Sequence, residues 1–397
     1  MANSFLWRNK SYLSVSLTHF SVDVLNSSRT LLIAVLALSL GLSNSQVALV
    51  ALLYNVGNAL TQPLFGWLAD RYGARWLVVG GIGWMILFYG AASLAGDWAS
   101  LVALTVAGIG SGAFHPPGTM VASQASVTRR TQATAYFFMA GQMGLFLGPV
   151  LAGALLQTWN RPGVIVLPLL ALMVFLLDWR WLPSIGGSAA TPQATQPPTL
   201  SRPPSASRSY LAGLLFVIVA CMNTVSLSIL TFAPKLFTEL GYQSGYVGWL
   251  TGMYMMGSAI GGIVGGNLAD RWGGKWPILL GMGVGLLPVF FFVPSVGVLR
   301  MVLLLLASFF VGMPHSVLVI QVQSMLPGRQ ALASGLTLGV MFFSGSVGSY
   351  VVGLLADQAG LGATLQRTAF LLAIAFVAAI FLPARQRLAV ATEAAAD

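Results

Sequence analysis

A chain of 397 residues that is 57% apolar and only 7% charged, with a mean hydropathy of +0.83, cannot wet its own surface, because a soluble domain carries roughly 25% charged residues. The net charge of +10 is spread without a basic run or a stacking aromatic beside one, which argues against a nucleic-acid partner. A single cysteine, Cys221, excludes an intrachain disulfide or a cysteine-built metal cluster.

In chain order, Met1 to Lys10 gives a short basic flank, and the apolar stretch behind it carries His19, Asp23 and Arg29 without a small-residue cleavage site. It reads as a retained first helix rather than a removed signal. Apolar stretches then follow one another: 11–40, 45–69, 75–95, 98–127, 131–158 and 163–183, and again 209–239, 244–269, 275–294, 298–326, 331–358 and 362–383. Each suits a crossing of roughly 20 residues, so the expected fold is an all-α polytopic membrane protein with twelve transmembrane helices. The expected organisation is a six-helix bundle at 1–185, a cytoplasmic linker at 186–208 rich in Pro, Ser, Thr and Gln, and a second six-helix bundle at 209–397.

Counted from a cytoplasmic N-terminus, fourteen of the nineteen basic residues, from Arg8 and Lys10 to Arg385 and Arg387, lie on that side. This bias predicts cytoplasmic termini in a bacterial-type inner membrane. Of the nine acids, only Asp23 is expected deep in the bilayer.

The two halves repeat each other. Gly-Trp-Leu-Ala-Asp-Arg-Tyr-Gly-Ala-Arg-Trp at 66–76 returns at 266–276 as Gly-Asn-Leu-Ala-Asp-Arg-Trp-Gly-Gly-Lys-Trp. The same 200-residue offset pairs Gly41 with Gly241, Tyr54 with Tyr254, Gly112 with Gly312, His115 with His315 and Gly148 with Gly348. Two parallel repeats with a site between them is a transporter architecture.

On these residues, Gly66, Asp70, Arg71, Gly73 and Arg75 and again Gly266, Asp270, Arg271, Gly273 and Lys275, the chain resembles the major facilitator superfamily along its whole length. Within that superfamily it is similar to the fosmidomycin resistance type of efflux protein. The stretches that carry this are His19 with Asp23, Gly110-Ser111-Gly112-Ala113-Phe114-His115-Pro116, and Leu326-Pro327-Gly328-Arg329 followed by Ser334-Gly335-Leu336. Pro117 and Phe138 depart from its pattern. The resemblance implies alternating access around a cavity lined by helices one, four, seven and ten.

Physical chemistry assigns candidate roles. The acid of each repeated loop can pair with Arg at a helix end, so Asp70 and Asp270 with their neighbours are expected to latch the cytoplasmic side. Ionisable groups at bilayer depth are expensive and functional by default. Asp23 and His19 share a helix face, and Asp23 and His115 each lie about 18 Å from the cytoplasmic end of their helices, with His315 at a similar depth. Asp23, His19, His115 and His315 are therefore the candidates for proton coupling. Candidate solute contacts are Arg29, Asn26, Asn223, His115, His315, Gln142, Tyr54 and Tyr254. Arg29 reads equally well as a cavity guanidinium attracting a carboxylate, phosphate or phosphonate or as a snorkelling side chain, while Lys235 reads as snorkelling. Gly144, Gly148, Pro149 and Gly153 suit close helix packing and resemble the superfamily's antiporter motif.

No nucleotide-binding loop is present, and no acid, base and nucleophile set stands out, so the chain is expected to be no enzyme and to use a proton gradient without a cofactor or metal. The function expected is a monomeric proton-coupled antiporter exporting a small organic solute or drug, anionic or amphiphilic. The alternatives are a proton-coupled importer of a metabolite, and a lipid flippase or receptor on the same fold.

Overall fold

The computed structural model describes residues 8–125, 130–182, 205–324 and 330–383, and their regular structure is helical. In the first half the helices are α1 (Lys10–Ser39), α2 (Asn44–Tyr72), α3 (Ala74–Leu94), α4 (Asp97–Gln124), α5 (Arg130–Gly163) and α6 (Val166–Trp181). In the second they are α7 (Ser205–Glu239), α8 (Ser244–Trp272), α9 (Lys275–Phe291), α10 (Gly297–Gly312), α11 (His315–Ser324), α12 (Gln330–Ala359), α13 (Leu361–Arg367) and α14 (Ala369–Ile380). Among the described residues ten stretches are long and apolar enough to cross a membrane; α10 with α11 forms one of them and α13 with α14 another, and α9 is a shorter apolar helix. Pro314 separates α10 from α11, since its nitrogen has no proton to continue the ladder. Most of the linker, Arg129 and the Leu326-Pro327-Gly328-Arg329 stretch lie outside the described residues.

Local chemistry sets the boundaries. Gly41 and Gly241 turn the chain at φ 61° and 81°, and Gly73 and Gly273 do so at φ 90° and 89°, a region that a β-carbon disfavours. The repeated glycine after Asp-Arg therefore has a backbone reason. Ser43 starts α2 as a capping box, its Oγ accepting from Gln46 N at 3.2 Å while Gln46 Oε1 accepts from Ser43 N at 2.9 Å.

Two compact units emerge. The first comprises Met1–Ala189, Leu227–Met256 and Ser346–Leu365, and the second Ala190–Ser226, Gly257–Gly345 and Gln366–Asp397. In the first unit α1 packs on α4, α5 and α6. Glycine makes the closest of these contacts possible. A β-carbon at Gly144 would collide with the Phe20 carbonyl, and one at Gly148 with Ser27 and the Val24 carbonyl. Further along α5, Gly153 faces Ser244 and Gly248, and Gly248 faces the Pro149 carbonyl. The glycine ladder of α5 thus lets α1 lie against one face and α8 against another. In the second unit α9 packs on α10 and α14.

The structure adds a buried acid and corrects one expectation. Asp178, in the last turn of α6, is 0% exposed. Its Oδ2 accepts from Thr18 Oγ1 at 2.5 Å, and its Oδ1 accepts from the Ser14 hydroxyl. Ser14 and Thr18 are four residues apart on α1, on a different face from His19 and Asp23. Removing the acceptor strands two buried hydroxyls, so Asp178→Ala is expected to lose ~3 kcal/mol of stability. Unfolding in mixed micelles checks this; a variant as stable as the parent would refute the clamp. Lys235 does not snorkel. It is 4% exposed, bonded to Asn44 Oδ1 at 2.6 Å and Glu239 Oε1 at 2.7 Å.

Candidate functional site

The first helix brings His19 and Asp23 to one face, and α4 brings His115 to the same place. His19 Nε2 stands 3.2 Å from Asp23 Oδ2, and His115 Nε2 stands 3.6 Å from Asp23 Oδ1. The side chains of His19 and Asp23 are 4% and 8% exposed, and that of His115 is 24%. Phenylalanines wall the cluster. The His19 ring stacks on Phe137 at 4.1 Å and lies 5.7 Å from Phe114 and 5.9 Å from Phe138.

Hydrogen-bond partners determine where protons sit. His19 Nδ1 is 2.8 Å from the Phe137 carbonyl oxygen, and His115 Nδ1 is 2.8 Å from the Ser111 carbonyl oxygen. A carbonyl only accepts, so both Nδ1 atoms carry hydrogen. Each Nε2 then faces a carboxylate oxygen, which also only accepts when ionised. With both Nε2 atoms bare, Asp23 would face two lone pairs and hold an unbalanced charge in an apolar surround. One proton on either imidazole neutralises the set. The cluster can therefore carry net charge −1, 0 or +1 according to how many protons its Nε2 atoms hold.

The donor atoms of His19, Asp23 and His115 also lie within 4.8 Å of one another, a spacing compatible with a metal ion. The α5 backbone covers the His19–Asp23 edge of this group: a β-carbon at Gly141 would stand 2.5 Å from His19 Nε2 and 2.7 Å from Asp23 Oδ2.

A polar chain leads away from Asp23. Asn26 Nδ2 donates to Asp23 Oδ1 at 2.9 Å and to Ser111 Oγ at 3.0 Å, and Asn26 Oδ1 accepts from the Tyr54 hydroxyl. Over the Tyr54 ring, at 3.6 Å from its centroid, lies the guanidinium of Arg29, itself 7% exposed. Arg29 thus does not snorkel; it stacks inside the first unit. Asp23 and Arg29 do not share a helix face, yet Asn26 and Tyr54 bridge them.

The remaining candidates lie elsewhere. His315 starts α11 in the second unit, where it is exposed and makes no hydrogen bond among the described residues. Asn223 bonds locally to the Val219 carbonyl at 2.9 Å. Gln142 is exposed on α5, and Tyr254 is buried in α8.

In the repeated loops the two bases have related partners. Arg75 Nη2 donates to the Trp179 carbonyl at 2.7 Å, and Lys275 Nζ donates to the carbonyls of Ile380 at 2.5 Å and Leu382 at 2.7 Å. Each base binds last-turn or trailing carbonyls of a later helix in its own half, α6 for Arg75 and α14 for Lys275, where a cation is favoured. Arg71 lies 5.6 Å from the Trp67 and Tyr72 rings. Asp70 and Asp270 are exposed and make no ion pair among the described residues. A β-carbon added at Gly66 would stand 3.6 Å from Pro116 Cβ, whereas one at Gly266 would have nothing within 4 Å.

At the opposite ends of these helices the first unit contains two interlocks that the sequence did not announce. Asp357 accepts from Asn44 N at 2.6 Å and Ser45 N at 3.1 Å. Gln157 Oε1 accepts from Gly245 N at 3.1 Å. Positions 157 and 357, and 45 and 245, again differ by 200. An acceptor from α12 caps α2, and its counterpart from α5 caps α8.

The profile of the Major Facilitator Superfamily matches residues 15–242 and 214–397. The chain belongs to the major facilitator superfamily. It is accordingly a multi-pass membrane transporter and not an enzyme. The fosmidomycin resistance protein of Escherichia coli K12 is 28% identical to this transporter over 377 residues, 93% of this chain and 92% of its own. The 3-(3-hydroxy-phenyl)propionate transporter of the same organism is 30% identical over 215 residues, 52% of this chain and 51% of its own. Among solved structures, a bacterial homologue of the human lysosomal transporter Spinster, inward-facing and occupied, superposes with a TM-score of 0.75 at 14% identity, covering 93% of this chain and 95% of its own. The nucleoside transporter NupG gives 0.71 at 15% identity, covering 94% and 100%. At such identities these two structures speak for the fold alone.

Sequence reasoning named His19, Asp23, Asn26, Tyr54 and His115, which the structure brings together. It assigned no role beside the Asp23 carboxylate to Ser111, Gly141 or Tyr89. Ser111 and Phe114 stand in a stretch already singled out for its histidine, so the i, i+4 relation of Ser111 to His115 was the available signal.

Proposed function

We propose that this superfamily member is a proton-coupled antiporter that exports a small organic solute by alternating access between two six-helix repeats, as a monomer in a bacterial inner membrane with cytoplasmic termini. The observation that carries the reading is the arrangement of two imidazoles with fixed Nδ1 hydrogens around one carboxylate. Such a set must take up a proton to be neutral and can release it when the surroundings change. The chain from Asp23 through Asn26 and Tyr54 to Arg29 gives that proton a route to influence a solute in the cavity. Similarity to a resistance protein over nearly the whole chain supports export and makes fosmidomycin the first solute to test.

In this cycle Asp70 and Asp270, with Arg71, Arg271, Arg75 and Lys275, latch the cytoplasmic side. The Asp357 and Gln157 interlocks close the outer side. Bound protons and solute need only favour different members to be coupled.

Proteoliposomes with an entrapped pH dye and an imposed pH gradient test the assignment. Fosmidomycin is expected to move against the direction of proton flow and to collapse the gradient as it does so. Movement in the same direction as protons would establish the importer instead, and gradient-independent movement with lipid translocation would favour the flippase.

A further inference from the structure

Arg29 is unusual beyond its depth. Its Nε and Nη1 groups are buried and have no hydrogen-bond partner among the described residues, and no acid pairs with it there. The Tyr54 ring offers its face, which attracts the cation but accepts none of the in-plane N–H groups. The Tyr89 hydroxyl of α3 is likewise buried and lies beside the Tyr54 hydroxyl, with which it interacts without closing a hydrogen bond of ordinary length and angle. Its side chain is 0% exposed and within electrostatic reach of Arg29 and Tyr54. Buried donor groups with no acceptor are costly to leave unsatisfied, and a buried unpaired cation more so. A water could accept some of these hydrogens but would leave the charge in place. An oxyanion satisfies both needs, since its oxygens accept from a guanidinium in the fork geometry and balance its charge.

We propose that Arg29 and Tyr89 form an oxyanion-binding subsite that holds the carboxylate, phosphate or phosphonate end of the transported solute. This rests on the reading of the chain as a solute transporter and names the chemical class of its cargo. It also gives the Tyr54–Asn26 bridge a purpose. An anion over Arg29 reduces the guanidinium's positive field at Asp23, so loading of cargo and loading of the proton cluster influence each other. By linkage that influence is reciprocal.

The test needs no gradient. Purified full-length transporter in nanodiscs is titrated with benzoate, with its neutral counterpart benzamide and with inorganic phosphate, and binding is read by calorimetry and thermal shift. Benzoate is expected to bind saturably and raise the Tm, and benzamide to do neither. Arg29→Met should weaken benzoate at least about tenfold and Tyr89→Phe about fivefold, while the Tm of unliganded Arg29→Met stays level or rises, because an unpaired buried charge has been removed. Equal binding of benzamide and benzoate, or benzoate binding retained in Arg29→Met with a lowered Tm, would overturn the subsite and make Arg29 a packing residue. Counterflow of labelled benzoate in proteoliposomes identifies the anion as cargo; binding of phosphate alone, with no benzoate bound or exchanged, would make the occupant a resident ion and overturn that assignment. If flux proves to be symport while Arg29-dependent benzoate binding stands, only the export reading falls.

Discussion

Asp23→Asn is expected to lower proton-driven solute flux about 100-fold, a coupling loss of ~3 kcal/mol, while leaving solute counterflow within a few-fold of the parent. The asymmetry follows from hydrogen-bond accounting. Asp23 as a carboxylate only accepts, so His19 Nε2 at 3.2 Å must bring a proton for the contact to be attractive. An asparagine amide of the same shape carries its own N–H, donates to a bare Nε2 and still accepts from Asn26 through its oxygen. The His19 contact is then satisfied without a proton on Nε2, and at His115, whose Nε2 still faces the remaining oxygen, no carboxylate charge is left to hold a proton that would bias one conformation over another. Solute binding at Arg29 and rocking of the halves need no such proton, so exchange persists. Parallel measurement of dye-reported proton flux and labelled-solute flux in the same proteoliposomes checks both arms. Full gradient-driven transport by the variant would remove Asp23 from the coupling role. Substitution of His19, more buried and closer to the carboxylate, should be the more damaging of the two histidine changes.

The parts of this site that the sequence displayed are those governed by spacing along one helix or by the repeat. His19 and Asp23 are four apart and must share a face; His115 could be set at the same depth by counting from a helix end. The positive φ of Gly73 and Gly273 was legible as a repeated glycine, though not as an angle. What stayed hidden depends on pairings between helices. Nothing in the sequence says that Phe137 offers its carbonyl to His19, that Asp178 meets Ser14 and Thr18 across 160 or more residues, or that Lys235 turns inward to Asn44. Asp178 shows why: hydropathy places an acid near a helix end in solvent, and only the hydroxyl pair facing it makes burial tolerable. The interlocks of Asp357 and Gln157 were hidden for a further reason. The repeat pairs an acid with an amide at these positions, so comparing residue types conceals that both accept from the start of a helix in the opposite half.

Gly141→Ala is expected to uncouple transport in a protein that still folds, and the reason is the rigidity of what the new methyl would meet. Its β-carbon would stand 2.5 Å from His19 Cε1 and Nε2 and 2.7 Å from Asp23 Oδ2, inside van der Waals contact for all three. None of these atoms is the loose end of a side chain. The imidazole is held by its stack on Phe137 and by the Phe137 carbonyl, and the carboxylate by Asn26. Helix α1 cannot retreat as a whole, because Gly144 and Gly148 seat it against α5 one and two turns further on. The methyl must therefore turn His19 away from Asp23 or prise the helices apart locally, at about 1–3 kcal/mol of overpacking strain. Either response opens the 3.2 Å contact on which coupling depends, so proton-driven flux should fall at least tenfold, roughly 1.4 kcal/mol, while the protein still folds and inserts. Gly80→Ala is the matched control: Gly80 lies in α3 with nothing within 4 Å of an added β-carbon, and alanine there should leave flux unchanged and improve helix propensity by up to ~1 kcal/mol. Expression-normalised flux and Tm for the two variants decide the matter. If Gly141→Ala couples as well as Gly80→Ala, the His19–Asp23 contact is not what carries the proton's influence.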